Sequence, residues 1–304
     1  MKSGVNYTDF AIAGGTMILV TGASGKTGRA IIRALVAKGQ QVRALVRRAE
    51  QARPTESLGA QEVVIGELRD EATLRQAAQG IRAIYHICPN VHPDEIAIGK
   101  AATTAAQAAG VKQFVFHSVL HPQTEAMPHH WNKLRVEEAL FESGLPYTIL
   151  QPAAYMQNVL ASWDAIVAQG VYSVPYSTQA PLGLVDLDDV AEAAAEVLTA
   201  PGHAGAIYEL AGPEVLTPAA IADALSRGFQ RPVHAEQMTI EAWVRSAEES
   251  GMGTYPIDTL VKMFRYYDRY GLWGNARVLS DLLGRAPTRF EAFVARTVRE
   301  KLGR

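Results

Sequence analysis

Three glycines three residues apart, in Val20-Thr21-Gly22-Ala23-Ser24-Gly25-Lys26-Thr27-Gly28, join a short apolar run to an amphipathic one. The spacing G-x-x-G-x-x-G suits a phosphate loop. Gly22 makes the tight turn, Gly25 lets a pyrophosphate approach the backbone, and Gly28 lets helix and strand pack closely. A helix starting here would aim N–H groups and the positive end of its dipole at the phosphates, with Ser24, Lys26 and Thr27 beside them. About twenty residues on, NAD-binding chains usually carry an acidic residue for the ribose 2′-OH. Here Ala44-Leu45-Val46 is followed by Arg47-Arg48. Two guanidinium groups fit a 2′-phosphate through bidentate charge-assisted bonds, so the expected cofactor is NADP(H), with Lys26 as a third cation. The plainer alternative is a pair of solvated arginines at a strand end.

These residues need a strand before the loop and a helix after it. Met17-Ile18-Leu19-Val20 is continuously apolar, as a parallel strand buried on both faces requires. In 29–37, Ile31, Ile32, Leu35 and Val36 form a stripe at helical spacing, with Gly39 at the stop. Strands are then expected at 42–46, 62–65, 83–87, 114–118 and 147–151, and helices at 71–78, 94–109 and 130–142, with a polar linker around Pro54. Such alternation specifies βαβ units and a Rossmann-type α/β fold, a doubly wound parallel sheet, here with a smaller C-terminal α+β substrate lobe. The expected organisation is an N-terminal extension at 1–16, an NADP(H)-binding domain at 17–155 to whose sheet 182–200 returns, and a substrate lobe at 156–181 and 201–304. That lobe is expected to close over the sheet's carboxyl edge, where ligands of such folds bind.

Other segments carry a family likeness. They are His129-His130-Trp131-Asn132-Lys133-Leu134-Arg135-Val136-Glu137-Glu138, Ser143-Gly144-Leu145-Pro146-Tyr147-Thr148-Ile149-Leu150-Gln151-Pro152, and Tyr155-Met156-Gln157-Asn158. Val185-Asp186-Leu187-Asp188-Asp189-Val190-Ala191 and Tyr208-Glu209-Leu210-Ala211-Gly212-Pro213 follow. In these stretches and the glycine loop, the chain resembles the NmrA-like branch of the short-chain dehydrogenase/reductase superfamily, with its isoflavone-reductase-like and quinone-reductase-like NADPH enzymes. The resemblance is close over 17–213 and looser beyond.

The resemblance implies that Lys133 holds the nicotinamide ribose, that Ser118 orients the substrate or a catalytic base, and that Pro152, Ala153 and Tyr155 lie by the nicotinamide ring. Ile87, Cys88 and Pro89 would line the ribose and adenosine side, with Cys88 a buried, inert thiol. One position departs from the pattern: the superfamily's tyrosine, four residues before the lysine, is replaced by His129. Either His129 donates the proton, or there is no general acid and Lys133 alone grips the ribose. Asp186 and Asp189 are expected to cap the helix that follows them.

Composition narrows the partners. Lys and Arg number 29 against 31 Asp and Glu, leaving no positive surplus for a nucleic-acid backbone. One cysteine forms no internal disulfide, and no apolar stretch reaches the roughly 18 residues of a membrane span, so a cytoplasmic protein off the membrane is expected. His86, His117, His121, His129 and His130 are close in sequence but lack metal-ligand spacing, and no metal is expected. Five aromatics in Phe264-Arg265-Tyr266-Tyr267-Asp268-Arg269-Tyr270-Gly271-Leu272-Trp273 suit either a flat substrate or a core and subunit contact. The function expected is NADPH-dependent hydride transfer to a quinone, dye or enone. The alternative is an NADP(H)-sensing regulator with a protein partner; either reading is compatible with a homodimer, and the sequence does not fix the oligomeric state.

Overall fold

The first strand, Met17–Val20 (β1), has three of its four residues fully buried, which is why the segment carries no polar side chain. The protein is described as a computed structural model covering residues 17–303. The extension expected at 1–16 lies outside the described residues. From β1 the chain alternates through Lys26–Ala37 (α1), Gln41–Val46 (β2), Ala52–Glu56 (α2), Glu62–Ile65 (β3), Glu71–Ala77 (α3) and Ala83–His86 (β4). It continues through Glu95–Ala108 (α4), Gln113–His117 (β5), Pro128–Glu142 (α5) and Tyr147–Pro152 (β6). There follow Ala154–Tyr155 (β7), Trp163–Gln169 (α6), Val171–Val174 (β8), Leu182–Val185 (β9), Leu187–Thr199 (α7) and Ala206–Leu210 (β10). The last elements are Val215–Leu216 (β11), Pro218–Phe229 (α8), His234–Gln237 (β12), Ile240–Glu249 (α9), Thr254–Tyr270 (α10), Arg277–Leu283 (α11) and Phe290–Leu302 (α12).

The central sheet has seven strands in the order β10-β6-β5-β4-β1-β2-β3. β1 runs parallel to both β2 and β4, and β4, β5 and β6 continue in the same sense. It is the doubly wound parallel sheet of a Rossmann-like fold. Its strand order reverses between β1 and β4, so the loops after these two strands flank the crevice where such sheets bind ligands. Between strands and helices the core is aliphatic and aromatic, with Leu19, Ile84, Phe114, Phe116, Val136 and Leu140 all essentially sealed from water. Gly99 lets α4 press onto α5: a Cβ there would lie 2.5 Å from a Val136 methyl.

Several elements differ from expectation for identifiable reasons. α1 starts at Lys26 rather than 29, because its first turn is set by the loop and not by the apolar stripe. α5 begins at Pro128, a favoured first helical residue, which puts His129 inside the helix. Pro54 sits in the first turn of α2, where its missing N–H costs nothing, so the expected linker is partly helical. β9 does not return to the central sheet: it pairs with β7 and β11 in a separate three-stranded sheet, and the seventh central strand is β10. Asp186 caps α7 as expected, accepting the Asp188 N–H at 3.1 Å. Asp189 lies within the helix instead, binding Arg285 at 2.8 Å and the Thr288 N–H at 2.6 Å.

The described chain divides into two compact units. One holds residues up to Val119, Asn132–Gln151 and Ala191–Tyr208; the other holds Leu120–Trp131, Pro152–Val190 and Glu209 onward. The division falls earlier than the expected 155/156 boundary and assigns 120–131 to the second unit. Among the described residues no helix is long and apolar enough to cross a membrane.

At the carboxyl ends of β4 and β5 the first unit buries two histidines. His86 Nδ1 lies 3.0 Å from the Thr21 hydroxyl, and His117 Nδ1 lies 2.6 Å from the Tyr85 hydroxyl. Burial, with Lys133 nearby, lowers each pKa from the ordinary 6.5 to about 3, so both rings are neutral in the folded protein. The unfolded chain therefore binds more protons between these values, and stability falls as pH drops from about 6.5 toward 3. Thermal unfolding followed over this range should show a steep loss of Tm, with a shallower slope in His117→Gln. A variant with the wild-type slope would show that His117 does not contribute.

Candidate functional site at the carboxyl edge of the sheet

The loop after β1 is shaped by two glycines the protein itself requires. Gly22 has φ +59, and a Cβ on it would lie 3.0 Å from the Ile87 carbonyl oxygen. A Cβ on Gly28 would lie 2.4 Å from the Gly22 oxygen and 2.6 Å from the Ala23 Cα, so α1 rests directly on the turn. Gly25 is different: it is exposed, and a Cβ would meet only the Gly22 oxygen, at 3.3 Å. Its own N–H is spent on the Gly22 oxygen at 3.1 Å and its oxygen on the Arg29 N–H at 3.0 Å, so what the missing side chain leaves is uncovered surface at the start of α1. Gly25 is also the cap residue of α1, whose first turn carries no acidic residue, so nothing acidic there offsets the positive end of the dipole. Ser24 and Thr27 are half-buried on either side, and desolvation lowers the pKa of Lys26. An Ala23 N–H to Leu45 carbonyl contact of 3.4 Å ties the loop to the end of β2.

Arg47 and Arg48 directly follow β2, and both are exposed. They are not equivalent. Arg48 is paired with Glu50 at 2.6 Å, whereas the Arg47 side chain enters no ion pair among the described residues. Their backbone N–H groups share the Gln51 side-chain oxygen, at 3.1 and 3.0 Å, which fixes the turn. At the end of β4, Ile87 packs on Gly22, Pro89 is exposed and Cys88 is buried. Burial pushes the Cys88 thiol far up, with Glu95 adding to it, so it is no nucleophile.

Lys133, on α5, is almost entirely enclosed. Its Nζ lies 2.6 Å from the Glu95 carboxylate at the start of α4, 3.4 Å from the His117 carbonyl oxygen, and over the Phe116 ring at 5.5 Å. One turn further along α5, Glu137 accepts the Ser118 hydroxyl and the Gln151 amide, the latter at 3.0 and 3.1 Å to its two oxygens. Burial raises the Glu137 pKa; Ser118, Gln151 and Lys133 oppose that rise. Ser118 thus stands at the expected strand end, but its hydroxyl is committed to a buried carboxylate that needs donors. His129 is buried in the first turn of α5, one turn before Lys133, with its ring edge-on to His130 at 4.5 Å.

In the second unit, Pro152 closes β6, and the buried Ala153 donates its N–H to the Leu210 carbonyl at 2.9 Å. Tyr155, half-buried, ends the short strand β7 beside Val185. Much of the aromatic stretch is core: Phe264 and Tyr267 pack around Tyr176, with ring centroids 6.0 and 5.8 Å away. Tyr270 and Trp273 are each 55% exposed. Among the described residues no three His, Cys, Asp or Glu side chains converge as a metal site would need.

Sequence reasoning missed Glu95, Gln151 and the role of Glu137. Glu137 had a signal, four residues after Lys133 on one helix face. Glu95 had none, because 38 residues separate it from its partner.

Residues 15–294 match the NmrA-like family. The NAD(P)H azoreductase of Xenophilus azovorans is 32% identical over 282 residues, covering 91% of this chain and 96% of that protein. Quinone oxidoreductase 2 of Escherichia coli strain K12 is 29% identical over 276 residues, covering 90% of this chain and 95% of that one. The crystal structure of an NADPH-dependent quinone oxidoreductase from E. coli, complexed with NADPH, superposes with a TM-score of 0.81 at 28% identity, over 92% of this chain and 99% of that one. With the glycine loop, the strand order and a match running through nearly the whole described chain, this protein belongs to the NmrA-like family.

Proposed function

We propose that the chain is an NADPH-dependent reductase that transfers hydride to an electron-poor conjugated small molecule: a quinone, an azo or triarylmethane dye, or an enone. The observation that carries this reading is the exposed, side-chain-free Gly25 that caps α1 ahead of a first turn with no acidic residue, with the Arg47 guanidinium, which enters no ion pair among the described residues, after the neighbouring strand β2. That donor set fits a dinucleotide: N–H groups for the pyrophosphate and a cation for a 2′-phosphate. The relatives named as reductases support the same chemistry and favour it over the regulatory alternative.

Bound NADPH supplies the hydride. Gly22, Gly25 and Gly28 with Ser24, Lys26 and Thr27 bind the phosphates; Arg47, more than the Glu50-paired Arg48, reads the 2′-phosphate. Ile87, Cys88 and Pro89 line the nucleoside side. Lys133 holds the nicotinamide ribose through the N–H not used by Glu95 and His117, and Pro152, Ala153 and Tyr155 lie by the ring. His129 replaces the usual tyrosine as the one residue at that spacing able to move a proton, while Ser118 acts through Glu137. The partner is a small molecule. The buried single cysteine supports a cytoplasmic location, and the exposed Tyr270 and Trp273 offer a contact for a homodimer.

Loss of NADPH absorbance with a panel of quinones, dyes and enones tests the reading; tight NADPH binding without oxidation across the panel would overturn it. Arg47→Ala should weaken NADPH binding about 10–100-fold, the worth of one charge-assisted contact, and leave NADH binding near wild type. Equal losses for both would remove the 2′-phosphate assignment. Gly25→Ala should lower Tm far less than Gly28→Ala, because its backbone accepts a side chain and its Cβ would meet one atom at 3.3 Å, yet lose NADPH affinity at least about tenfold. Gly28→Ala should lower both.

A further inference from the structure

We propose that Glu95 is the positioning residue of the site: it holds the Lys133 ammonium charged and aimed, and acts only through Lys133. The inference rests on the reading of Lys133 as a cofactor contact. Glu95 is 1% exposed, and its Oε1 sits 2.6 Å from Nζ. Its other oxygen, Oε2, is buried with no partner among the described residues. Among the described residues Lys133 is therefore the one donor to this carboxylate, while Lys133 also reaches the His117 carbonyl.

The surroundings of Lys133 explain why it needs the carboxylate. β4 and the loop after it contribute His86 and Cys88, both neutral, and β5 contributes the neutral His117. α5 itself carries Glu137 one turn on, with its charge already spread over Ser118 and Gln151, and His129 one turn before. Burial alone would lower the lysine pKa; the Glu95 charge is the largest influence against it, and with the Glu95 hydrogen bond, the Glu137 charge and, where the thiol ionises, that of Cys88, it leaves the pKa raised. The loop that delivers Glu95 is itself constrained. Val91, buried and β-branched, has φ +49, a conformation held only where neighbours over-determine it. The Glu95 N–H then bonds the His92 carbonyl at 3.2 Å, fixing the start of α4.

Glu95→Gln keeps the shape and removes the charge. NADPH affinity of the wild type should be level from pH 6 to about 9, whereas in Glu95→Gln it should fall at least about tenfold across this range as Lys133 loses its proton. The pH profile of Lys133 acylation by acetic anhydride, read by mass spectrometry without cofactor, should move to lower pH in the same variant. Lys133→Met and the double variant Glu95→Gln/Lys133→Met should bind NADPH equally weakly. An unshifted acylation profile, or a double variant weaker than Lys133→Met, overturns the proposal. If Lys133→Met binds NADPH like wild type while the acylation profile still shifts, the cofactor role of Lys133 fails but the pairing stands. Should Glu95→Gln not fold, recovery of folding in the double variant supports the pairing, and failure to recover overturns it.

Discussion

The backbone of α1 lies directly against the turn that ends β1, so close that a single methyl at Gly28 would fall 2.4 Å from the Gly22 oxygen. Most of the site follows from that contact. A helix seated on the turn begins at the sheet edge, and its first N–H groups face outward from the carboxyl end of β1. Because β1 is parallel to β2 and β4, the residues after those strands arrive at the same edge: Arg47 on one side, Ile87 on the other. Gly22 must in turn be glycine, since Ile87 fills the space where its side chain would project.

The same edge is where a sheet buried on both faces must accommodate its polar groups. In the first unit they are settled in pairs across elements: Thr21 with His86, Tyr85 with His117, Glu95 with Lys133, Ser118 and Gln151 with Glu137. Each pair joins residues far apart in sequence, and in a low-dielectric setting each broken partner leaves a costly orphan. The histidines remain neutral, so Lys133 is the fixed positive charge of this cluster and Glu95 is its counter-ion. A rigid cluster whose one cation is held by its own counter-ion is well suited to orienting a bound group, because none of its groups has to reorganise first.

How far the sequence reveals this depends on the range of each signal. The strand-turn-helix at Met17–Ala37 is local: apolar run, glycine spacing and helical stripe lie within about twenty residues, and the structure agrees closely. α1 and α5 each start earlier than their apolar period indicates, because their first turns are set by a loop contact and by Pro128, while both stop where the period does. β9 reads as a buried strand, correctly, but its sheet depends on pairing with Ala154 and Val215, which no local pattern specifies. The arginines after β2 are legible as cations; that Glu50 takes Arg48 and leaves Arg47 is a choice of side-chain geometry that sequence proximity alone does not make. Glu95 could not be found at all, since nothing about an acidic residue at a helix start distinguishes a counter-ion from an ordinary favourable dipole contact.

The histidine at position 129 bears on which acceptors the proposed enzyme reduces. A simple ketone becomes an alkoxide when it takes hydride, so its reduction requires an acid in place at the moment of transfer. A quinone becomes a stabilised phenolate that solvent protonates afterwards, and a cationic triarylmethane dye becomes neutral and needs no proton. With Ser118 committed to Glu137 and Lys133 held charged by Glu95, neither group is set up to surrender a proton, and the superfamily tyrosine is missing. What this edge offers is placement of two reactants in a largely pre-set field. Such a site favours acceptors in proportion to how well they bear the added electron pair unaided, and leaves His129, at the position of the missing tyrosine, as the one group for an acceptor that needs a proton.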